Sequence, residues 1–119
     1  MAARVDTVGG AVTGAPLNPR EAAGLVGRAI FVDVREPYEF AAGHIEGSIP
    51  IPMTQIPERW EELASEDQVV VVCHLGQRSA VVVDFLRHRG IQAQNLEGGL
   101  EEWARQGLDL TPPDLGGPG

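Results

Sequence analysis

The stretch that decides the fold reads VVVVCHLGQRS and covers residues 69–79. Four consecutive valines are typical of a strand that is buried on both faces, as in a parallel sheet. From Ser79 to Arg89 the apolar residues recur on one helical face, and Gly90 follows as a stop signal. The stretch therefore predicts a strand, a short loop and a helix, with Cys73 at the carboxyl end of the strand, where open α/β folds bind ligands.

The flanking sequence alternates in the same way. Asn18 and Pro19 are typical of a helix start, with Gly27 as a candidate stop. The pattern further predicts strands at Ala29–Val34, Ser48–Ile51 and Ala93–Leu96, and helices at Pro37–Ala42, Ile56–Leu63 and Leu100–Gln106. Alternating strands and helices over about one hundred residues indicate an α/β domain with a mainly parallel sheet.

Length and composition limit the domain organisation. A chain of 119 residues corresponds to one domain. Residues 1–14 are rich in Gly, Ala and Thr and are predicted to form a flexible arm, and residues 111–119 hold three prolines and three glycines, as in a disordered tail. We therefore expect the folded domain to cover residues 15–110.

Charge and hydropathy exclude several kinds of partner. The net charge is −8, without a basic run, so nucleic acid and anionic membranes are poor candidates. No apolar stretch has the length of a signal peptide or of a membrane span. These features predict a cytoplasmic protein, in which a free thiol stays reduced.

The single cysteine, Cys73, cannot form an internal disulfide or a cysteine-only zinc site, and no His, Cys and acidic residues show metal-ligand spacing. Either Cys73 is a small buried hydrophobe that ends a strand, or it is reactive. A helix N-terminus stabilises a thiolate, Arg78 adds a fixed positive charge, and Gly76 allows the sharp curve of a cradle loop. This context favours reactivity.

Three motifs resemble those of the rhodanese family. They are DVREP at residues 33–37 with GHIEGS at 43–48, then CHLGQRS at 73–79, and LEGGL at 96–100. The resemblance covers about residues 15–108. It implies a three-layer fold with a parallel sheet of about five strands flanked by helices, and sulfurtransferase chemistry on Cys73. Gly98 and Gly99 are expected to let the chain turn close to the active loop.

By the mechanism that the resemblance implies, the Cys73 thiolate attacks the outer sulfur of a donor such as thiosulfate and keeps it as a persulfide. A thiol or a protein then accepts the sulfur, by ping-pong catalysis and without a separate cofactor. The backbone N–H groups of the loop are expected to hold the anionic persulfide. The predicted binding loop consists of His74, Leu75, Gly76, Gln77, Arg78 and Ser79.

Asp33 and Arg35 are predicted to form a pair near the mouth of the site. For Asp33 the favoured interpretation is a structural network, whereas Arg35 could equally meet an anionic donor. His74 could contact substrate or raise the positive potential. Within an acidic chain, His74 and Arg78 are the expected place where a small anionic sulfur donor is held.

Two alternatives to a thiosulfate-using enzyme remain open at this stage. One is a persulfide carrier or interaction module that turns over thiosulfate poorly. The other is a cysteine-dependent phosphatase of the same fold, but those enzymes have Cys-x5-Arg, whereas Arg78 follows Cys73 by five positions. A loop that is one residue shorter suits a single sulfur atom better than a phosphoryl group.

Overall fold

A computed structural model describes residues 14–112 of the chain. Five helices and four strands alternate along them: α1 Pro19–Ala23, β1 Ile30–Asp33, α2 Pro37–Ala41, β2 Ile49–Pro50, α3 Ile56–Arg59, β3 Val69–Val72, α4 Gln77–Arg87, β4 Ala93–Asn95 and α5 Gly99–Arg105. Short 3₁₀ segments, Met53–Gln55 and Trp60–Leu63, flank α3. The predicted arm at 1–13 and most of the predicted tail, 113–119, lie outside the described residues.

The four strands form one parallel sheet in the order β2-β1-β3-β4. The valine strand β3 is central, and its partner β1 is in register from Ile30 opposite Val69 to Asp33 opposite Val72. The carboxyl ends of β1 and β3 therefore meet at one edge of the sheet. This edge carries Asp33 and, directly after β3, Cys73.

The sheet separates two apolar cores, which makes the fold three-layered. Val69 and Val71 pack on one side in the core that includes Val82 and Leu86 of α4. Val70 and Val72 pack on the other side with residues of α1 and α5, among them Ala22, Leu100 and Trp103. Burial of the valine strand on both faces confirms the prediction from its uninterrupted apolar run.

The number of strands differs slightly from the predicted five. Within residues 14–112, a fifth position pairs with the sheet only through an isolated parallel bridge between Leu17 and Leu96. Leu17 donates its N–H to the Asn95 carbonyl and accepts from the Glu97 N–H, so one residue extends the sheet beyond β4. Pro19 begins α1 two residues later and prevents a longer strand from forming there.

Most predicted element ends differ from the observed ones, by one or two residues in most cases. Helix α4 begins at Gln77 rather than Ser79, because Gly76 adopts a left-handed conformation (φ 103°) and serves as the N-cap. Gln77, Arg78 and Ser79 are therefore the first turn of the helix rather than the end of a loop. The helix predicted over Ile56–Leu63 is α-helical only to Arg59 and continues as a 3₁₀ segment. Helix α1 ends at Ala23 with Gly24 as its C-cap, before the predicted stop at Gly27.

The end of the described chain contacts the domain. Thr111, the first residue of the predicted tail, donates its backbone N–H to the His44 carbonyl at 2.8 Å, and its hydroxyl accepts from the His44 N–H. Among the described residues, none of the helices has both the length and the apolar character needed to cross a membrane.

Candidate active site

Cys73 is buried at the end of β3, with 1% of its surface exposed. Its Sγ atom accepts a hydrogen bond from the backbone N–H of Gly76 at 3.0 Å and a longer one from the N–H of Ser79 at 3.4 Å. The Ser79 hydroxyl lies 3.2 Å from the same sulfur. The loop and the first turn of α4 thus surround one sulfur atom with hydrogen-bond donors.

These donors determine the ionisation of the cysteine. Burial by itself raises the pKa of the Cys73 thiol, but the hydrogen bonds from the side chain and backbone of Ser79 and from the N–H groups of Gly76 and Leu75 lower it by more. The net result is a pKa below the ordinary thiol value. A buried cysteine that only packed would show the opposite shift, so the site favours a thiolate nucleophile.

The Ser79 hydroxyl has two possible acceptors and only one hydrogen. It can donate to the Cys73 sulfur or to the side-chain oxygen of Asn95, which is also within hydrogen-bond distance. Asn95 is oriented by its own amide, which donates to the Gly76 carbonyl at 3.0 Å. Ser79 can therefore turn its hydrogen toward the sulfur when the sulfur is charged.

Replacing Ser79 by alanine is expected to raise the pKa of the Cys73 thiol, because the hydroxyl donor to the thiolate is lost. The pH dependence of alkylation by a small reagent measures this, since the chain has one cysteine. Ser48→Ala is the matched control, because the Ser48 hydroxyl is bonded to the Ile45 carbonyl instead. An unchanged profile in Ser79→Ala would show that the hydroxyl keeps its hydrogen on Asn95.

The N-terminus of α5 forms hydrogen bonds to the backbone of the active loop. The Leu100 N–H donates to the Cys73 carbonyl at 2.9 Å, and the Glu101 N–H donates to the His74 carbonyl at 3.0 Å. With these two carbonyl groups turned toward α5, the N–H groups of Leu75 and Gly76 face the sulfur. Gly99 permits the approach, because it has a φ of 63° and a Cβ on it would lie 2.7 Å from the Cys73 carbonyl oxygen and closer still to that of His74.

Arg78, expected from the sequence to help hold an anionic donor, is bound to a carboxylate of the same chain. Its two terminal nitrogens donate to the two carboxylate oxygens of Glu39 on α2, at 2.8 and 3.0 Å. The bidentate hydrogen bond from Arg78 lowers the pKa of the Glu39 carboxyl from 4.5 to about 2, against burial, which raises it. The backbone N–H of Glu36 also bonds to this carboxylate.

The Glu39 pair is expected to make stability depend on pH. Since the folded pKa of Glu39 lies below its ordinary value, the pair stabilises the fold above about pH 4.5, and this contribution is lost as the pH falls toward 2. The free energy of unfolding, measured by chemical denaturation, should be about 1 kcal/mol lower for Glu39→Gln than for wild type at neutral pH, a figure reduced because the pair is partly exposed. This difference should be smaller at pH 3.

The control for this measurement is Glu62→Gln, which removes an exposed ion pair with Arg59. At neutral pH, Glu62→Gln is expected to lower the free energy of unfolding by less than Glu39→Gln does. A difference for Glu39→Gln that stays constant from pH 6 to pH 3 would contradict the assignment.

The other residues of the predicted loop have separate surroundings. The His74 ring lies 3.7 Å from a carboxylate oxygen of Glu101, and both side chains are about half exposed. Leu75 is 48% exposed, and Gln77 is exposed at the first position of α4. Of the six predicted binding residues, Leu75, Gly76 and Ser79 direct donors to the sulfur, while His74 and Arg78 pair with carboxylates.

Asp33 and Arg35 form the predicted pair. The Arg35 guanidinium donates to both Asp33 oxygens, and it also donates to the Gly43 carbonyl at 2.8 Å. Both side chains are buried, with Asp33 1% and Arg35 7% exposed. This geometry favours the structural interpretation for both residues, because the guanidinium is occupied in joining β1 to the segment after α2.

Sequence reasoning gave no role in the site to three residues: Glu39, Asn95 and Glu101. Glu39 lies within the first motif that resembles the rhodanese family, but nothing local indicates its partner, because Arg78 is 39 positions away. An asparagine in a strand carries no local signal for a partner either. Within residues 14–112, no cluster of three or more His, Cys, Asp or Glu side chains is arranged to hold a metal ion.

Comparison with known proteins decides the family. The sequence model of the Rhodanese-like domain matches residues 18–106. This chain belongs to the rhodanese-like domain family. The structure of a rhodanese-related protein from Thermoplasma volcanium superposes with a TM-score of 0.77 at 32% identity, covering 81% of this chain and 96% of that one. The parallel α/β fold predicted from the motifs is thereby confirmed.

The sequence relatives of this rhodanese-like domain include both enzymes and carriers by name. A protein of Allochromatium vinosum named sulfurtransferase is 37% identical over 86 residues, which cover 71% of this chain and 80% of the relative. A putative sulfur carrier protein of Bacillus subtilis is 32% identical over 73 residues, which cover 60% of this chain and 40% of that protein. The relatives support sulfur transfer as the general function.

Proposed function

We propose that this rhodanese-like domain transfers sulfane sulfur and holds it as a persulfide on Cys73. The observation that carries the proposal is the arrangement of donors around the Cys73 sulfur, with the N–H groups of Gly76 and Ser79 at 3.0 and 3.4 Å and the Ser79 hydroxyl at 3.2 Å. The two backbone donors are fixed by the fold before any charge develops, so they stabilise the Cys73 thiolate, the nucleophile and later the leaving group, without reorganisation.

The proposed reaction has two steps. In the first, the Cys73 thiolate attacks the outer sulfur of a donor, the donor's sulfur–sulfur bond breaks, and the remainder of the donor leaves with the electron pair. In the second, a thiol or another sulfur-seeking acceptor attacks the outer sulfur of the Cys73 persulfide and releases the thiolate. No cofactor takes part, and a cytoplasmic setting would keep the single thiol reduced between turnovers.

Mass spectrometry of the intact protein tests the proposal. After incubation with a sulfane-sulfur donor, we expect a mass gain of one sulfur atom on Cys73, reversed by cyanide with formation of thiocyanate. Thiosulfate and a small organic persulfide are tried separately. If neither small donor nor a cysteine desulfurase adds sulfur to Cys73, the proposed chemistry is wrong.

A second candidate function is that of a sulfur carrier, which is loaded by a dedicated donor protein and passes its persulfide to a partner. The relationship to a putative sulfur carrier protein supports it. Loading by a cysteine desulfurase without loading by either small donor would establish this alternative.

A phosphatase is disfavoured by the contacts of Arg78. The arginine of a phosphatase loop must hold phosphoryl oxygens, whereas both terminal nitrogens of Arg78 are bound to Glu39. We expect the protein to form thiocyanate from a sulfur donor and cyanide, and not to hydrolyse phosphate esters.

A further inference from the structure

The guanidinium group beside the active loop is already paired with a carboxylate of the same chain. Arg78 makes a bidentate contact with Glu39, at 2.8 and 3.0 Å, and the arginine side chain is about one-third exposed. An arginine used in this way has its fork of donors filled. A second anion can reach it only by sharing or displacing Glu39.

Carboxylates also lie on the opposite side of the loop. His74 faces Glu101, whose carboxylate also accepts from Arg105 at 3.2 Å, and Arg105 lies 3.5 Å from Glu102 as well. On this side, two carboxylates, Glu101 and Glu102, surround one arginine, Arg105. The third cation proposed from sequence, Arg35, is buried against Asp33.

Within residues 14–112, the three arginines nearest the loop, Arg35, Arg78 and Arg105, are thus each paired with a carboxylate. A thiosulfate dianion approaching the Cys73 thiolate is opposed by the net charge of −8, and these arginines are already occupied. The loop presents an exposed apolar side chain instead, since Leu75 is 48% exposed two residues after the nucleophile. An apolar side chain at this position suits the organic part of a donor.

We infer that the donor is an organic persulfide of low charge rather than thiosulfate, and that Glu39 sets this preference by neutralising Arg78, while Glu101 adds a negative charge beside the loop. The inference rests on the proposed persulfide chemistry of Cys73. The step balances: the Cys73 thiolate attacks the outer sulfur of R–S–SH, the donor's sulfur–sulfur bond breaks, and the departing thiolate takes the proton of the transferred sulfur, which gives R–SH and the Cys73 persulfide anion. One negative charge is present before and after.

The test compares two donors, thiosulfate and 2-hydroxyethyl persulfide, by kcat/KM with a common thiol acceptor. Wild type is expected to favour the persulfide. Glu39→Gln frees Arg78 and should raise the thiosulfate-to-persulfide ratio of kcat/KM by about tenfold, as expected for one added unit charge a few ångströms from a dianion in a largely aqueous site. Glu101→Gln should raise the ratio by less, since Glu101 is more exposed.

Glu66→Gln is the matched control, because it removes the same charge from the turn before β3, at the opposite end of that strand. It should leave the ratio within about twofold of wild type. A second measurement needs no variant. Thiosulfate use by wild type should rise with added salt, because screening weakens repulsion, whereas capture by an unpaired cation would make it fall.

The outcomes separate the inference from the function on which it depends. If Cys73 gains sulfur from both donors but wild type shows no preference, or Glu39→Gln and Glu101→Gln leave the ratio unchanged, the inference is wrong and the persulfide chemistry stands. If Cys73 gains sulfur only from a cysteine desulfurase, the inference is wrong and the persulfide chemistry stands. If it gains sulfur from no donor at all, both are wrong. A ratio that rises in Glu66→Gln as much as in Glu39→Gln would assign the effect to net charge and overturn the role of Glu39.

Discussion

Cys73→Ser is expected to abolish sulfur loading and transfer while the fold stays intact. The hydroxyl that replaces the thiol does not ionise near neutral pH and cannot form a persulfide, so transfer should fall at least about a thousandfold. Stability should change little, because the serine oxygen is smaller than sulfur and keeps the hydrogen-bonding partners Gly76 and Ser79. Intact-protein mass spectrometry and thiocyanate formation measure the loss, and thermal unfolding checks the fold.

The control for this substitution is Ser79→Ala, which alters the same site but retains the thiol. It should still gain one sulfur atom from the donor. Residual transfer by Cys73→Ser comparable with that of Ser79→Ala would show that the nucleophile is not Cys73.

Gly99→Ala is expected to displace the active loop and to destabilise the domain. The added Cβ would lie 2.7 Å from the Cys73 carbonyl oxygen and closer to the His74 carbonyl, and both groups are backbone that must move with the loop. The left-handed backbone (φ 63°) costs about 1–2 kcal/mol for a residue with a side chain. The steric conflict adds about 1–3 kcal/mol. Chemical denaturation measures the sum, and the rate of sulfur loading reports the loop.

Gly107→Ala is the matched control for the backbone cost. Gly107 follows α5 with a φ of 82°, and a Cβ on it would meet no heavy atom within 4 Å. Gly107→Ala should lower the free energy of unfolding only by the cost of the left-handed backbone, and the rate of sulfur loading should stay unchanged. Equal losses in the two variants would mean that the contact between Gly99 and the loop does not position the donors.

Local patterns predicted the framework of the site well. The four valines led to a strand buried on both faces, and the structure divides their side chains between the two cores. The LEGGL motif led to a close approach of Gly99 to the loop, which the contacts of Leu100 and Glu101 with the Cys73 and His74 carbonyl groups bear out. Burial of the strand follows from its local composition, whereas the approach of Gly99 to the loop was expected from a motif that resembles the rhodanese family.

The charges around the sulfur could not be predicted in the same way. Arg78 was expected to help hold an anionic donor, and Glu39 reaches it because α2 and α4 both lie at the edge of the sheet where β1 and β3 end. The start of α4 was placed two residues late, at Ser79, whereas Gly76 is the N-cap and Gln77 the first helical residue. The Ser79 hydroxyl lies within hydrogen-bond distance of Cys73 and Asn95.

The amino-acid sequence determined the parallel α/β architecture, the position of Cys73 at the carboxyl end of the central strand and membership of the rhodanese-like family. Hydrophobic periodicity and short motifs carry this information locally. Which cations near Cys73 are free was decided by tertiary structure alone. Ion pairs such as Arg78 with Glu39 join residues 39 positions apart, and their electrostatic effect depends on distance and burial rather than on sequence order.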